Sequence, residues 1–320
     1  MLEREKAFVE KYAGVKKDTE NDQFALLEAE LEDGSPLIVM VDTDLKDWDA
    51  KASHPWMLVV SFTYDGYANS GLPDEETSKF VVVMEDLGNM RIIDQNIGMT
   101  IEDARKSIDA AAKVHANWWG KGDALAEAGK TVSLGDPIYP AVLPFVFGEG
   151  WAKLTAEMSL PQAILEIGPH FSEALPKLLS SMVVGPNTLC HGDYRADNLL
   201  FNENNEPVAI DFQLLGTGTG AYDIAYFVTQ SLTPEVASKH ERDLFDQWVA
   251  ALITHGAPAG LVDRDALWLH YRTAALFCLA YPVIASRGMD LSDPRQRTLI
   301  EVMTNRFDRA VRELNLAELL

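Results

Sequence analysis

The sequence predicts an α+β protein with a mostly helical C-terminal part and a small β-containing N-terminal region. Three observations predict it. Short apolar runs rich in strand formers recur through residues 24–31, 36–41, 56–62 and 80–84. From Thr100 onward, apolar residues return at helical spacing through several long stretches. Within that helical part, residues 189–213 hold short apolar runs broken by turn formers, the pattern of a strand, a loop and a hairpin.

Taken in order, residues 1–18 are expected to form a short helix with Phe8, Val9 and Tyr12 on one side. Residues 24–31 and 36–41 read as a strand pair around the turn Glu32-Asp33-Gly34-Ser35. A strand at 56–62 and a polar loop at 65–78 follow. Residues 80–84 are an apolar strand leading into Glu85-Asp86-Leu87-Gly88. Thr100 can cap a helix, with Asp103 three residues on. Along that helix Ile101, Ala104, Ile108, Ala111, His115 and Trp118 share a stripe, so His115 reads as a satisfied core histidine. Residues 130–160, rich in Gly, Pro and aromatics, read as loops with short helices, and 161–181 as an amphipathic helix. Core helix begins again at 224–228, and Thr233-Pro234 opens another, with Thr233 as cap. Residues 266–285 form a largely apolar helix interrupted near Pro282. The last helix spans 294–316 and buries Ile300, Met303, Phe307 and Val311.

The chemistry concentrates in residues 189–213. Leu189-Cys190 ends a strand, and His191-Gly192-Asp193 opens a loop that closes at Asn198. The runs Leu199-Leu200-Phe201 and Val208-Ala209-Ile210 flank a polar turn, so the folded hairpin returns Asp211 towards Asn198. Three oxygen-bearing side chains then converge, a set suited to a hard cation such as magnesium. Phosphoryl transfer needs such a set, together with a base near the attacking hydroxyl.

This stretch resembles the catalytic core of kinase-fold small-molecule phosphotransferases, the aminoglycoside, choline and ecdysteroid-kinase-like branch, over about residues 80–320. His191-Gly192-Asp193, Asn198 and Asp211-Phe212-Gln213 carry the likeness, with Gly192 and Gln213 standing where protein kinases have Arg and Gly. The resemblance implies a protein-kinase-like fold, with residues 1–79 as an atypical N-terminal region and 80–320 as the C-terminal lobe. It implies Asp193 as catalytic base and Asn198 and Asp211 as magnesium ligands. It also implies a hinge at 84–88, where the Glu85 carbonyl and the Leu87 N–H bind the adenine of ATP. Asp223, after the glycine run 216–220, would be a buried acid bonding the catalytic-loop backbone. His191 reads as structural, bonding a backbone carbonyl beneath the loop.

The N-terminal region lacks the matching signals. Its one hairpin turn has a single glycine, Gly34, and the strands at 36–41 and 56–62 have no lysine; Lys46 and Lys51 lie between them. Residues 22–77 weakly resemble a bacterial domain family of unknown function instead. Two accounts stay open: a composite chain joined near Lys79, and a divergent lobe of the usual shape.

The charge is lopsided, 27 Lys and Arg against 49 Asp and Glu, a net charge of −22. This argues against nucleic acid and anionic membranes as partners, and requires local cations wherever ATP phosphates sit. Cys190 and Cys278 lie in apolar runs and read as core residues, not as a disulfide or zinc site. Met1-Leu2-Glu3-Arg4-Glu5-Lys6 has no signal-peptide apolar stretch, and no run is long enough to span a bilayer, so the cytoplasm is expected. The expected activity is ATP- and magnesium-dependent phosphoryl transfer to a hydroxyl of a small molecule, cationic, polyol or sterol-like. The alternative is a catalytically impaired nucleotide-binding or regulatory module that lacks the phosphate-binding lysine.

Overall fold

The computed structural model describes residues 90–320, Leu87, and six strands before them: β1 Lys16–Glu20, β2 Phe24–Glu30, β3 Pro36–Asp42, β4 Met57–Tyr64, β5 Tyr67–Pro73 and β6 Phe80–Glu85. The chain divides into two compact units, 1–90 and 91–320.

In the first unit the strands form one six-stranded sheet in the order β1-β2-β3-β6-β5-β4. β2 and β3 pair antiparallel from Phe24↔Asp42 to Glu30↔Pro36, the hairpin read from the turn formers between them. Two expectations change here. Lys16, Lys17 and Asp18 are strand rather than the end of a helix, because β1 finds a partner in β2, with Lys16 opposite Glu28. Residues 67–73 are strand rather than loop, because β5 is paired on both sides, to β4 and to β6. A strand hydrogen-bonded along both edges gains its stability from partners distant in sequence, so Asn69 and Ser70 fit it despite weak local preference. β6 pairs with β3 and β5, so it joins this sheet. Gly34, Lys46, Lys51 and the helical stripe at 8–12 lie outside the described residues, as do the side chains behind the resemblance over 22–77.

The second unit is helical around two small sheets. Its helices are α1 Ile101–Trp118, α2 Gly122–Glu127, α3 Ile138–Glu157, α4 Gln162–Ser181, α5 Ala221–Ser231, α6 Pro234–Thr254, α7 Arg264–Phe277, α8 Ala280–Ser286 and α9 Pro294–Glu313. Its strands are β7 Val132–Ser133, β8 Thr188–Cys190, β9 Leu199–Phe201, β10 Pro207–Ala209 and β11 Gly216–Gly218. β9 and β10 form the expected hairpin; β11 joins β8 antiparallel and β7 parallel. The caps follow the sequence. Thr100 Oγ1 accepts from the Asp103 N–H at 3.1 Å, and Thr233 caps α6 with Pro234 in its first turn.

Every residue of α5 is buried, and α7 packs directly against it, so α5 is the axis of this unit. α3 is a long helix where loops were expected. Pro140 falls in its first turn, where no intrahelical donor is lost, and Pro144 is carried inside it. Burial of Phe147 and Leu154 stabilises the helix against that defect. At Gly150 an added Cβ would lie 2.2 Å from the Val283 carbonyl oxygen, so α3 meets α8 through backbone there. The apolar stretch at 266–285 breaks at Cys278-Leu279, which puts Pro282 in the first turn of α8. α9 ends at Glu313, and Asn315 follows in a left-handed conformation.

His115 lies fully enclosed as read. Its Nδ1 accepts from the Trp248 indole N–H at 3.0 Å, and its Nε2 meets Asp223 at 3.1 Å. An indole nitrogen only donates, so the His115 ring proton sits on Nε2 and points at Asp223.

Candidate active site

The site is built on the loop between β8 and β9. All three residues of β8 are buried, and β11 holds it in place, pairing Cys190 with Gly216. The chain then turns at Gly192, whose φ is +87°. A Cβ there would lie 2.0 Å from the Leu214 carbonyl oxygen. Only glycine satisfies both the left-handed backbone and that approach. Gly192→Ala is therefore expected to displace the loop and cost about 1–3 kcal/mol or more. Thermal denaturation checks it.

The loop backbone is held from below. Asp223, in the first turn of α5, accepts from the N–H of His191 at 2.7 Å and of Gly192 at 3.0 Å. The Gly192 carbonyl accepts two phenols, Tyr222 at 2.8 Å and Tyr281 at 3.1 Å. The His191 Nδ1 accepts from the Asp193 N–H at 3.3 Å, so its Nε2 proton goes to the Ile210 carbonyl at 2.8 Å. His191 thus ties the loop to the end of the hairpin, and Phe212 packs on its ring at 4.7 Å.

Asp193 is nearly enclosed. The Asn198 side-chain amide donates to both its main-chain carbonyl and its Oδ2, each at 2.8 Å. Arg195 Nε lies 3.1 Å from Oδ1 and 3.3 Å from Oδ2. The Tyr226 phenol is fully buried near this carboxylate; burial first, then the charge of Asp193, pushes that phenol well above its ordinary pKa, so it stays protonated. The Tyr226 ring stacks on Tyr281 at 4.2 Å.

Asp193 and Asn198 are therefore in direct contact. The Asn198 amide nitrogen faces Asp193, which directs its Oδ1 to the other side. The β9–β10 hairpin, with Leu199 opposite Ala209, brings the Ile210 N–H onto the Asn198 carbonyl at 3.0 Å. Asp211 follows directly, exposed and in a left-handed conformation (φ 62°) that Asp tolerates better than most residues. Gln213 donates to its Oδ2 at 3.3 Å. Among the described residues no three His, Cys, Asp or Glu side chains cluster as a metal site. The donors on offer are one amide oxygen and one exposed carboxylate. Hard oxygen ligands of that number fit magnesium, which keeps waters and takes the rest from phosphate. Leu87 is half-buried and its carbonyl accepts from the Met90 N–H at 2.9 Å; Glu85 ends β6, and its side chain lies outside the described residues. Both belong to the first unit.

Sequence reasoning missed Arg195, Asp197, Tyr222, Tyr226 and Tyr281. Arg195 and Asp197 lie inside the loop between β8 and β9, and charges of opposite sign two residues apart in a loop were a usable signal. Tyr222 and Tyr226 stand one helical turn apart on α5. Tyr281, far along the chain from Gly192, leaves no local trace.

Residues 147–259 match the family model of the ecdysteroid kinase-like family. A comparison with curated proteins finds no match. Among solved structures the chain is similar to a Plasmodium vivax ethanolamine kinase, at 10% identity and TM-score 0.53, over 100% of this chain and 87% of that one. It is similar to a choline kinase from Cryptosporidium parvum at 11% identity and TM-score 0.54, over 97% of this chain and 92% of that one. It is similar, too, to an amicoumacin kinase in complex with AMP-PNP, Ca²⁺ and Ami, at 14% identity and TM-score 0.50, covering 96% and 93%. The fold is the protein-kinase-like fold of small-molecule kinases, and the matched residues include the loop and hairpin that carried the resemblance.

Proposed function

We propose that this chain transfers a phosphoryl group from ATP, with magnesium, to a hydroxyl of a small molecule. The observation that carries the reading is the Asp193–Asn198 contact beside a hairpin that returns Asp211. Asp193 orients the acceptor hydroxyl and takes its proton onto a carboxylate oxygen as the hydroxyl oxygen attacks the γ-phosphorus and the bond from that phosphorus to ADP breaks, with ADP leaving. Asn198 fixes the Asp193 rotamer through its amide N–H groups and offers Oδ1 to the metal; Asp211 offers its carboxylate. Asn198 and Asp211 would hold magnesium, which would supply positive charge against the phosphates. Glu85 and Leu87 bind adenine through their backbone carbonyl and N–H. The first unit serves as a divergent N-terminal lobe; coverage of the whole chain by the ethanolamine kinase likeness supports that over a composite chain. Cys190 and Cys278 are free, buried thiols, which suits a reducing cytoplasm. Among the described residues no helix is long and apolar enough to cross a membrane.

One observation favours a second reading, a nucleotide-binding module without turnover. β3, the strand paired with β6, reads PLIVMVD and offers no lysine to a phosphate; the strand lysines Lys16 and Lys17 lie on β1, at the sheet's edge. Magnesium-dependent ATP turnover and nucleotide-induced thermal shift, measured on one sample against amino alcohols, polyols and sterols, separate the two. Turnover that rises with one acceptor class is expected. A shift without turnover in any condition selects the binding module, and neither signal overturns both.

A further inference from the structure

The Asp193 carboxylate does not stand alone in its loop. Arg195 Nε sits on it at 3.1 Å, and the same guanidinium places Nη1 on Asp197 Oδ2 at 2.7 Å. Asp197 is pinned in turn: its Oδ1 accepts from the Gln95 main-chain N–H at 3.1 Å, in the segment leading into α1. The backbone between these side chains is fixed as well. The Ala196 N–H donates to Ser231 Oγ at 2.9 Å, and the Asn198 N–H to the Arg195 carbonyl at 2.9 Å. The Arg195 and Asp193 side chains are only 23% and 12% exposed, so this pair is not a freely solvated surface contact. A guanidinium is a rigid planar fork, and here two of its nitrogens meet two carboxylates on either side of it in the chain.

We propose that Asp197 and Arg195 form a positioning relay for Asp193, with Asp197 aiming Arg195 and Arg195 fixing the carboxylate that receives the acceptor proton. The proposal rests on the phosphotransferase reading above. Arg195 is a positioning residue, not a catalytic one. Without it Asp193 keeps the Asn198 amide as a partner but loses the contact that spans both oxygens. An error of about 1 Å in a reacting group costs roughly 100-fold in rate, so the expected loss lies in turnover rather than in nucleotide affinity.

The test uses the full chain with magnesium-ATP and water as acceptor. Arg195→Gln is expected to lower kcat by about 10–100-fold while KM for ATP stays near wild type. Asp197→Asn should lower kcat less, and the double variant should be no slower than Arg195→Gln, since one relay is broken twice. Free guanidinium should restore part of the Arg195→Gln rate and none of the Asp193→Asn rate. Arg195→Lys, which reaches one carboxylate at a time, should recover only partly. An additive double variant, an unchanged kcat, or a loss confined to KM overturns the relay. A readout independent of turnover is the Arg195 Nε–H resonance in NMR, which should shift in Asp193→Asn and also in Asp197→Asn; no change in the latter overturns the relay. Wild-type protein that turns over ATP neither with water nor with any amino alcohol, polyol or sterol overturns the phosphotransferase reading instead, and the resonance then still decides whether Asp197 aims Arg195.

Discussion

Asp193→Asn abolishes phosphoryl transfer and leaves magnesium–nucleotide binding close to wild type, whereas Asp211→Asn weakens both; this is the expected result of exchanging each acid for its amide. At Asp193 the amide keeps the size of the side chain and one oxygen able to accept from Asn198. What is lost is the proton acceptor and the charge that Arg195 meets. Removing general-base action slows the chemical step by about 10²–10⁴-fold, with no reason for nucleotide affinity to follow. Asp211 differs in place and task. It is exposed and left-handed, a conformation asparagine also tolerates, so the substitution leaves the hairpin standing. An amide is a poorer ligand than a carboxylate for a hard cation, so the loss enters the ground state. Nucleotide calorimetry and single-turnover transfer on both variants check the pair. Near wild-type transfer in Asp193→Asn, or an equal loss of binding in both, would show that the roles are misassigned.

The legible parts of this molecule were those written in adjacent residues. The hairpin around Asn202 to Glu206 is such a part: short apolar runs flank turn formers, and the register that follows returns Ile210 to Asn198. The caps at Thr100 and Thr233 are local too, since a hydroxyl meets an N–H three residues on. Asp223 came from resemblance alone, yet its two bonds to the loop backbone now rest on geometry. The illegible parts depend on partners remote in sequence. β5 is a strand because β4 and β6 pair with it, not because Asn69 and Ser70 favour one. α3 is a helix in spite of Pro144 because its apolar side chains find a core. Tyr281 closes on the Gly192 carbonyl only when α8 packs beside α5, and no spacing foretells that contact.

The largest expected loss of stability is at Asp223. Its side chain is buried and accepts from three directions: the His191 N–H, the Gly192 N–H and the His115 Nε2–H. His115 is locked behind it by the Trp248 indole, so it cannot turn to another partner without breaking a second buried bond. Thr188 Oγ1 donates to the His115 carbonyl at 2.7 Å, which fixes that residue's backbone as well. Asp223→Ala strands three buried donors at once in a packed interior. Each unsatisfied group costs about 1–3 kcal/mol, and removing one partner of a buried charged network costs about 3–5 kcal/mol in all. In a unit of this size that corresponds to a fall in melting temperature of roughly 10 °C. Asp223→Asn should recover part of it: its one oxygen can keep the two bonds now made to Oδ2, from the His191 N–H and the His115 Nε2–H, while its amide nitrogen points a donor at the Gly192 N–H. The effect should also be local in a measurable way. Hydrogen exchange at the His191 and Gly192 amides of the loop should lose its protection before α5 does, since those N–H groups bond through this side chain. A variant that melts within about 2 °C of wild type, with both amides still protected, would mean that the loop is held by the two tyrosines on the Gly192 carbonyl rather than by Asp223.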